Sequence, residues 1–80
     1  MPFTMTDFGL RLRTKRKQRG LTQQQLAELL GIRQSVIAQL EKGHKGDVGA
    51  SRVVELTQLL HCSADYLLGL AEDNNEEHMA

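Results

Sequence analysis

Thr22-Gln23-Gln24-Gln25-Leu26-Ala27-Glu28-Leu29-Leu30-Gly31-Ile32-Arg33-Gln34-Ser35-Val36-Ile37-Ala38-Gln39-Leu40-Glu41-Lys42-Gly43 is the stretch on which the fold turns. It opens on Thr22 with Gln25 three residues on, the capping box in which a hydroxyl and an amide each satisfy one free backbone N–H. A short helix is expected next, with Leu26, Ala27, Leu29 and Leu30 on one side and Gln24, Gln25 and Glu28 on the other. Gly31 takes the left-handed position that stops a helix. Only Gly31-Ile32-Arg33 then intervene before helical spacing resumes. Two short helices joined by so tight a turn cannot run antiparallel and must cross steeply.

The helix after the turn, Gln34 to Lys42, is the informative one. With Gln34 at zero and about 100° per residue, one arc holds Ala38 (~40°), Lys42 (~80°), Ser35 (~100°) and Gln39 (~140°). The opposite arc holds Val36, Ile37, Leu40 and Glu41, and Gly43 ends the helix. The first arc is slim, polar and free of acid. A DNA major groove, about 12 Å wide, accepts such a face, and a Gln carboxamide matches adenine N6 and N7 with one bond given and one taken. Any surface helix carries Gln and Ser, so the face alone decides nothing; its place after a steep turn, beside a basic helix, favours the groove.

Working outward, Thr6-Asp7 can cap a first helix running to about Arg19, with Phe8, Leu12 and Arg16 four apart on one face and Gly20 as its stop. Gly43-His44-Lys45-Gly46-Asp47-Val48-Gly49 reads as an exposed loop. Ser51 is expected to cap a fourth helix carrying Val53, Leu56, Thr57 and Leu60, and Ser63 a fifth containing Tyr66, Leu67 and Leu68 before Gly69. No stretch alternates apolar and polar residues for long. The expected fold is therefore all-α, five short helices around one core, with an N-terminal arm at 1–7, a domain at 8–70 and an acidic tail at 71–80.

Eighty residues, 40% hydrophobic and 25% charged, suit one small soluble domain. A chain of this size buries only about 60% of its unfolded surface, which argues against two lobes around an active-site cleft. No apolar run approaches the roughly 20 residues that span a bilayer, and no secretory signal opens the chain, so a cytoplasmic protein without membrane contact is expected. Cys62 is the single cysteine, and beside His61 it makes at most two adjacent ligands, so neither metal nor cofactor is expected. His44, His61 and His78 lie in loops or tail with no convergent acid, base or nucleophile, which makes an enzyme the weakest reading.

The formal charge is zero but sharply divided. Residues 1–46 hold nine Lys and Arg against three acids, +6; residues 47–80 hold Arg52 against seven acids, −6. That split fits a half facing a polyanion, or equally a solvated basic helix followed by an acidic tail. Phosphates are expected at the start of the second helix, on Thr22 and Gln23, and at Lys42, Lys45 and Arg52 on the far side of the third. Arg16 and Glu41 both fall on packed faces. Lone charges there are costly, so they are expected to pair and tie helix 1 to helix 3; the alternative is two unrelated surface charges.

Residues from about Phe8 to Gly69 resemble the Cro/repressor type of helix-turn-helix domain of lambdoid phage repressors and small bacterial regulators. The likeness rests on Arg16-x-x-x-Gly-Leu-Thr-Gln-x-x-Leu-Ala-x-x-x-Gly-Ile, on Gln34-Ser35-Val36-Ile37-Ala38-Gln39-Leu40-Glu41-Lys42-Gly43, and on Ser63-Ala64-Asp65-Tyr66-Leu67-Leu68-Gly69. It implies a homodimer on operator DNA, with Gln34, Ser35 and Gln39 at the base-contacting positions and Ala38 able to meet a thymine methyl. It implies further that Gln23 touches a phosphate and braces Gln34, that Arg16 and Glu41 form an interhelix ion pair, and that Tyr66 and Leu70 lie near a dimer surface. Three departures stand out: Arg33 replaces the usual Ser or Thr cap and is placed to reach a phosphate, Val36 replaces a small polar residue, and the Gly-rich loop is longer and lacks a Pro.

The leading expectation is thus a sequence-specific transcriptional regulator, a repressor in its simplest form. A variant is an antitoxin that represses its own operon and holds a toxin through its acidic end. From a different class, a protein-interaction module would bind DNA weakly and without sequence preference, and would present aromatic or aliphatic anchors in place of a Gln-Ser-Ala-Gln face.

Overall fold

Thr4, two residues earlier than Thr6, starts the first helix. In the computed structural model, which describes residues 3–44, 46 and 48–72, the Thr4 hydroxyl accepts a hydrogen bond from the Asp7 backbone N–H at 3.1 Å. The Phe3 ring packs on Phe8 with centroids 6.3 Å apart. Phe3 precedes the cap and Phe8 is the fourth helical residue, so the rings form the hydrophobic staple that fixes a helix entry. Residues 5–7 therefore belong to the helix and not to an arm, and the Thr6-Asp7 cap is corrected to Thr4.

Five helices follow in order: α1 (Met5–Gln18), α2 (Gln23–Leu30), α3 (Gln34–Lys42), α4 (Ala50–Leu60) and α5 (Ala64–Leu67), with no strand among the described residues. The capping box is complete at α2: Gln25 N–H donates to the Thr22 hydroxyl at 3.0 Å, and Thr22 N–H to Gln25 Oε1 at 2.9 Å. Gly31 and Gly43 close α2 and α3 in the left-handed conformation. Ser63 caps α5 through the Tyr66 N–H. Two expectations are corrected. α4 begins at Ala50 after Gly49, with no side-chain cap, so Ser51 lies inside its first turn. Leu29 faces outward, 59% exposed, because at about 100° per residue it lies at the far edge of the apolar arc from buried Ala27.

The core draws Phe8 and Leu12 from α1, Leu26 and Ala27 from α2, Ile37 and Leu40 from α3, Val53, Leu56 and Leu60 from α4, and Leu67 from α5. Each fully buried Leu, Ile or Phe contributes about 1.5–3 kcal/mol, so every helix, however short, is held by its share of this one cluster. α3 lies against both α1 and α2. At the α1 crossing Gly9 has no room for a side chain: a Cβ there would meet the Leu40 and Glu41 carbonyl oxygens at 2.4 Å. A glycine inside an otherwise regular helix is disfavoured by roughly 1 kcal/mol, and this contact is its reason. Backbone thus presses on backbone and fixes the height of α3.

Candidate nucleic-acid interface

The outward face of α3 is built by what its other face buries. Ile37, Leu40 and Glu41 are turned inward, which leaves Gln34, Ser35 and Gln39 exposed and Ala38 half-buried between them. No acidic side chain shares that arc, because the helix's single acid, Glu41, is only 7% exposed. Arg33 stands exposed at the N-cap without making a capping bond, so the start of α3 is held by packing and by the turn.

Glu41 is the centre of a connected polar group. Arg16 Nε donates to Glu41 Oε2 at 2.5 Å and Arg16 Nη2 to Oε1 at 3.2 Å, a two-pronged pair with both side chains more than nine-tenths buried. Arg16 Nη1 donates to the Leu21 carbonyl at 2.8 Å, binding the α1–α2 connection to the same guanidinium. Gln23, the first residue of α2, donates from Nε2 to Glu41 Oε1 at 3.0 Å. Gln34 Nε2 in turn donates to Gln23 Oε1 at 2.6 Å. Hydrogen bonds therefore run unbroken from the buried pair to the first exposed side chain of α3. Helical spacing placed Arg16 with Glu41 and the family resemblance implied Gln23 beside Gln34, whereas the Gln23–Glu41 link joining them was signalled by neither.

Beside this group Arg13, Arg16, Gln23, Glu41 and Lys42 line a cleft of about 210 Å³. Thr22 is exposed at the N-cap of α2, its hydroxyl oxygen already accepting the capping bond. Lys42 is exposed at the end of α3. Arg52 sits on α4 with its guanidinium donating to Glu55 Oε1 at 2.8 Å, so it is partly neutralised there. Lys45, placed by the sequence with these cations, lies outside the described residues, as does the tail from Asp73 on.

Not all of the basic first helix is solvated. Lys15 is 1% exposed, and its Nζ lies 5.1 Å from the Tyr66 ring centroid, with Arg11 Cζ at 5.9 Å. Two cations of α1 thus cover the Tyr66 ring of α5, an attraction with the negative face of an aromatic system. Tyr66 is half-buried by these contacts, whereas Leu70, four residues on, is 70% exposed. Lys15 was hidden in the sequence because its ring partner lies some fifty residues away. Among the described residues no group of three or more His, Cys, Asp or Glu side chains is placed to hold a metal, and no helix is long and apolar enough to cross a membrane.

Known proteins share this fold. A family model described as helix-turn-helix matches residues 12–67. The chain is 38% identical over 72 residues to the competence pilus inhibition repressor of Acinetobacter baylyi, covering 89% of this chain and 64% of that protein, so it spans just under two thirds of that relative. The P22 c2 repressor, solved with a synthetic operator, superposes with a TM-score of 0.71 at 30% identity, covering 80% of this chain and 96% of that one. Hydroxypropylphosphonic acid epoxidase from S. wedmorenis superposes at 0.77 and 25% identity over 85% of this chain, but over 36% of its own. The epoxidase likeness is therefore to one portion of a larger enzyme, whereas the match to the P22 repressor chain is nearly complete. The capped α2 joined to α3 by the short Gly31-Ile32-Arg33 connection, the buried Arg16–Glu41 tie and the family match lead to one conclusion: the chain belongs to the helix-turn-helix family, of the Cro/repressor type.

Proposed function

We propose that the protein is a sequence-specific DNA-binding transcriptional regulator, a repressor, that lays α3 in the major groove. The observation that carries this reading is the exposed face of Gln34, Ser35 and Gln39 around half-buried Ala38, cleared of acid because Glu41 is drawn into the core. Such a face reads base edges with amides, a hydroxyl and a methyl group. The names of the Acinetobacter relative and of the operator-bound P22 repressor support it.

Phosphates are met by Thr22 and Gln23 at the start of α2, by Arg33 at the start of α3, and by Lys42, Lys45 and Arg52 beyond it. These contacts position the protein without reading sequence. The working form is a homodimer whose surface includes exposed Leu70 beside Tyr66, so the operator carries two half-sites about 34–36 Å apart, or a multiple of that.

The test is selection of bound duplexes from a random pool, then binding of the selected site at several salt concentrations. Expected are a paired half-site sequence, a steep loss of affinity with salt, and a slope reduced by about one in Lys42→Ala. Gln34→Ala and Gln39→Ala are expected to relax base preference at separate positions. Equal binding of selected and scrambled duplexes by the unmodified protein would sink the reading in favour of a protein-interaction module.

A further inference from the structure

We infer that Glu41, although buried and out of reach of DNA, decides which purine Gln34 accepts. The inference rests on the reading above that α3 meets base edges, and it adds the identity of one base to it. A carboxylate has acceptors only, whereas a carboxamide has one acceptor end and one donor end and can present either by turning over. Glu41 is held as an acceptor by Arg16, so the Gln23 group facing it has to be the NH2, as the 3.0 Å bond from Nε2 shows. That leaves Gln23 Oε1 turned towards α3. The Gln34 group facing Gln23 then has to be its own NH2, at 2.6 Å. One buried charge thus sets the direction of two amides in series.

The consequence falls on the exposed end of Gln34. With one N–H committed to Gln23, Gln34 offers its carbonyl oxygen and its second N–H. Adenine presents a donor at N6 and an acceptor at N7, which match that pair; guanine presents acceptors at both O6 and N7, and its O6 would face the Gln34 carbonyl oxygen. Were the chain of amides reversed, Gln34 would point its carbonyl at Gln23 and offer two N–H groups, the set that suits guanine. Glu41 is in this sense a positioning residue for specificity, acting through Gln23, in addition to pairing with Arg16.

The experiment compares base preference at the position whose readout is lost in Gln34→Ala, using duplexes that differ there alone. The unmodified protein is expected to prefer adenine over guanine at that position. Glu41→Gln removes the fixed polarity, since an amide can face Gln23 with either end, and the preference should fall at least about fivefold, with other positions unaffected. Because that variant also unpairs Arg16, Gln23→Lys serves as the second: an ammonium donates to Glu41 and to Gln34 alike, turns the Gln34 amide over, and should shift the preference towards guanine. Thermal melting of each variant by circular dichroism establishes that it is folded at the binding temperature. Undiminished adenine preference in a folded Glu41→Gln, or in Gln23→Lys, overturns the inference and leaves DNA reading by α3 standing. A Gln34-dependent preference for guanine in the unmodified protein overturns it too. Absence of any Gln34-dependent preference overturns both.

Discussion

Gly9→Ala is the most exacting perturbation of this architecture, since it adds one methyl group where α1 touches the end of α3. The new Cβ would sit 2.4 Å from both the Leu40 and the Glu41 carbonyl oxygens, where ordinary contact begins near 3.4 Å. The partner atoms are backbone, so no side chain can swing aside, and the last turn of α3 has to retreat by about 1 Å. Alanine in a helix interior gains about 0.5–1 kcal/mol over glycine, while overpacking of this kind costs about 1–3 kcal/mol. The net expectation is a loss of about 1 kcal/mol, a fall of about 4–8 °C in Tm for a domain of this size. Glu41 and Lys42 lie on the displaced turn, so operator affinity should drop more than the stability loss alone explains. Differential scanning calorimetry and fluorescence anisotropy measure the two effects, with Gly46→Ala as a control because nothing lies within 4 Å of a Cβ there. A Gly9→Ala protein that melts higher than the parent, by the full helix gain, would refute the close approach.

Three further expectations can be checked by unfolding. Glu41→Ala strands the Arg16 guanidinium, with side-chain exposure of 9%, and should cost about 3–5 kcal/mol in urea denaturation; a cost under about 1 kcal/mol would mean the pair behaves like a surface one. His61 holds φ 55 at the end of α4, a region that disfavours any residue with a Cβ, so His61→Gly should raise Tm by the equivalent of about 1 kcal/mol, and an unchanged Tm would show that no strain is present. Leu26→Ala should cost about 2–5 kcal/mol and Leu29→Ala less than about 0.5 kcal/mol, although they stand three apart on one helix; similar costs would contradict the orientation of α2.

Much of the fold was legible because its signals are local. The Thr22–Gln25 box, the left-handed glycines 31 and 43, and the apolar spacing of α3 each depend on residues within one or two turns. The start of α1 was also written locally, in Phe3-Thr4 and Asp7-Phe8, but Thr6 offered a rival cap and spacing alone does not rank the two. Residues close to Thr6 explain its loss: its backbone lies against Gly43, where a Cβ would come within 2.8 Å of Thr6 Cα. Ser51 does not act as a cap because α4 already starts at Ala50, two residues ahead of the Arg52 that a Ser51 cap would place first.

From its sequence alone this chain specifies five short helices, their stops, and which arc of α3 is polar, because capping and 3.6-residue periodicity operate over a few neighbouring residues. It also places Arg16 and Glu41 on faces that have to meet something. Only the tertiary structure decides how far those faces approach, and with what else. Gly9 reads as an ordinary interruption until α3 is laid across it, and Lys15 as an ordinary surface cation until α5 brings the Tyr66 ring over it. The direction of the Gln23 and Gln34 amides is likewise absent from any local pattern, since it is imposed by a carboxylate eighteen residues from Gln23, and polarity of this kind travels only through hydrogen bonds that folding assembles.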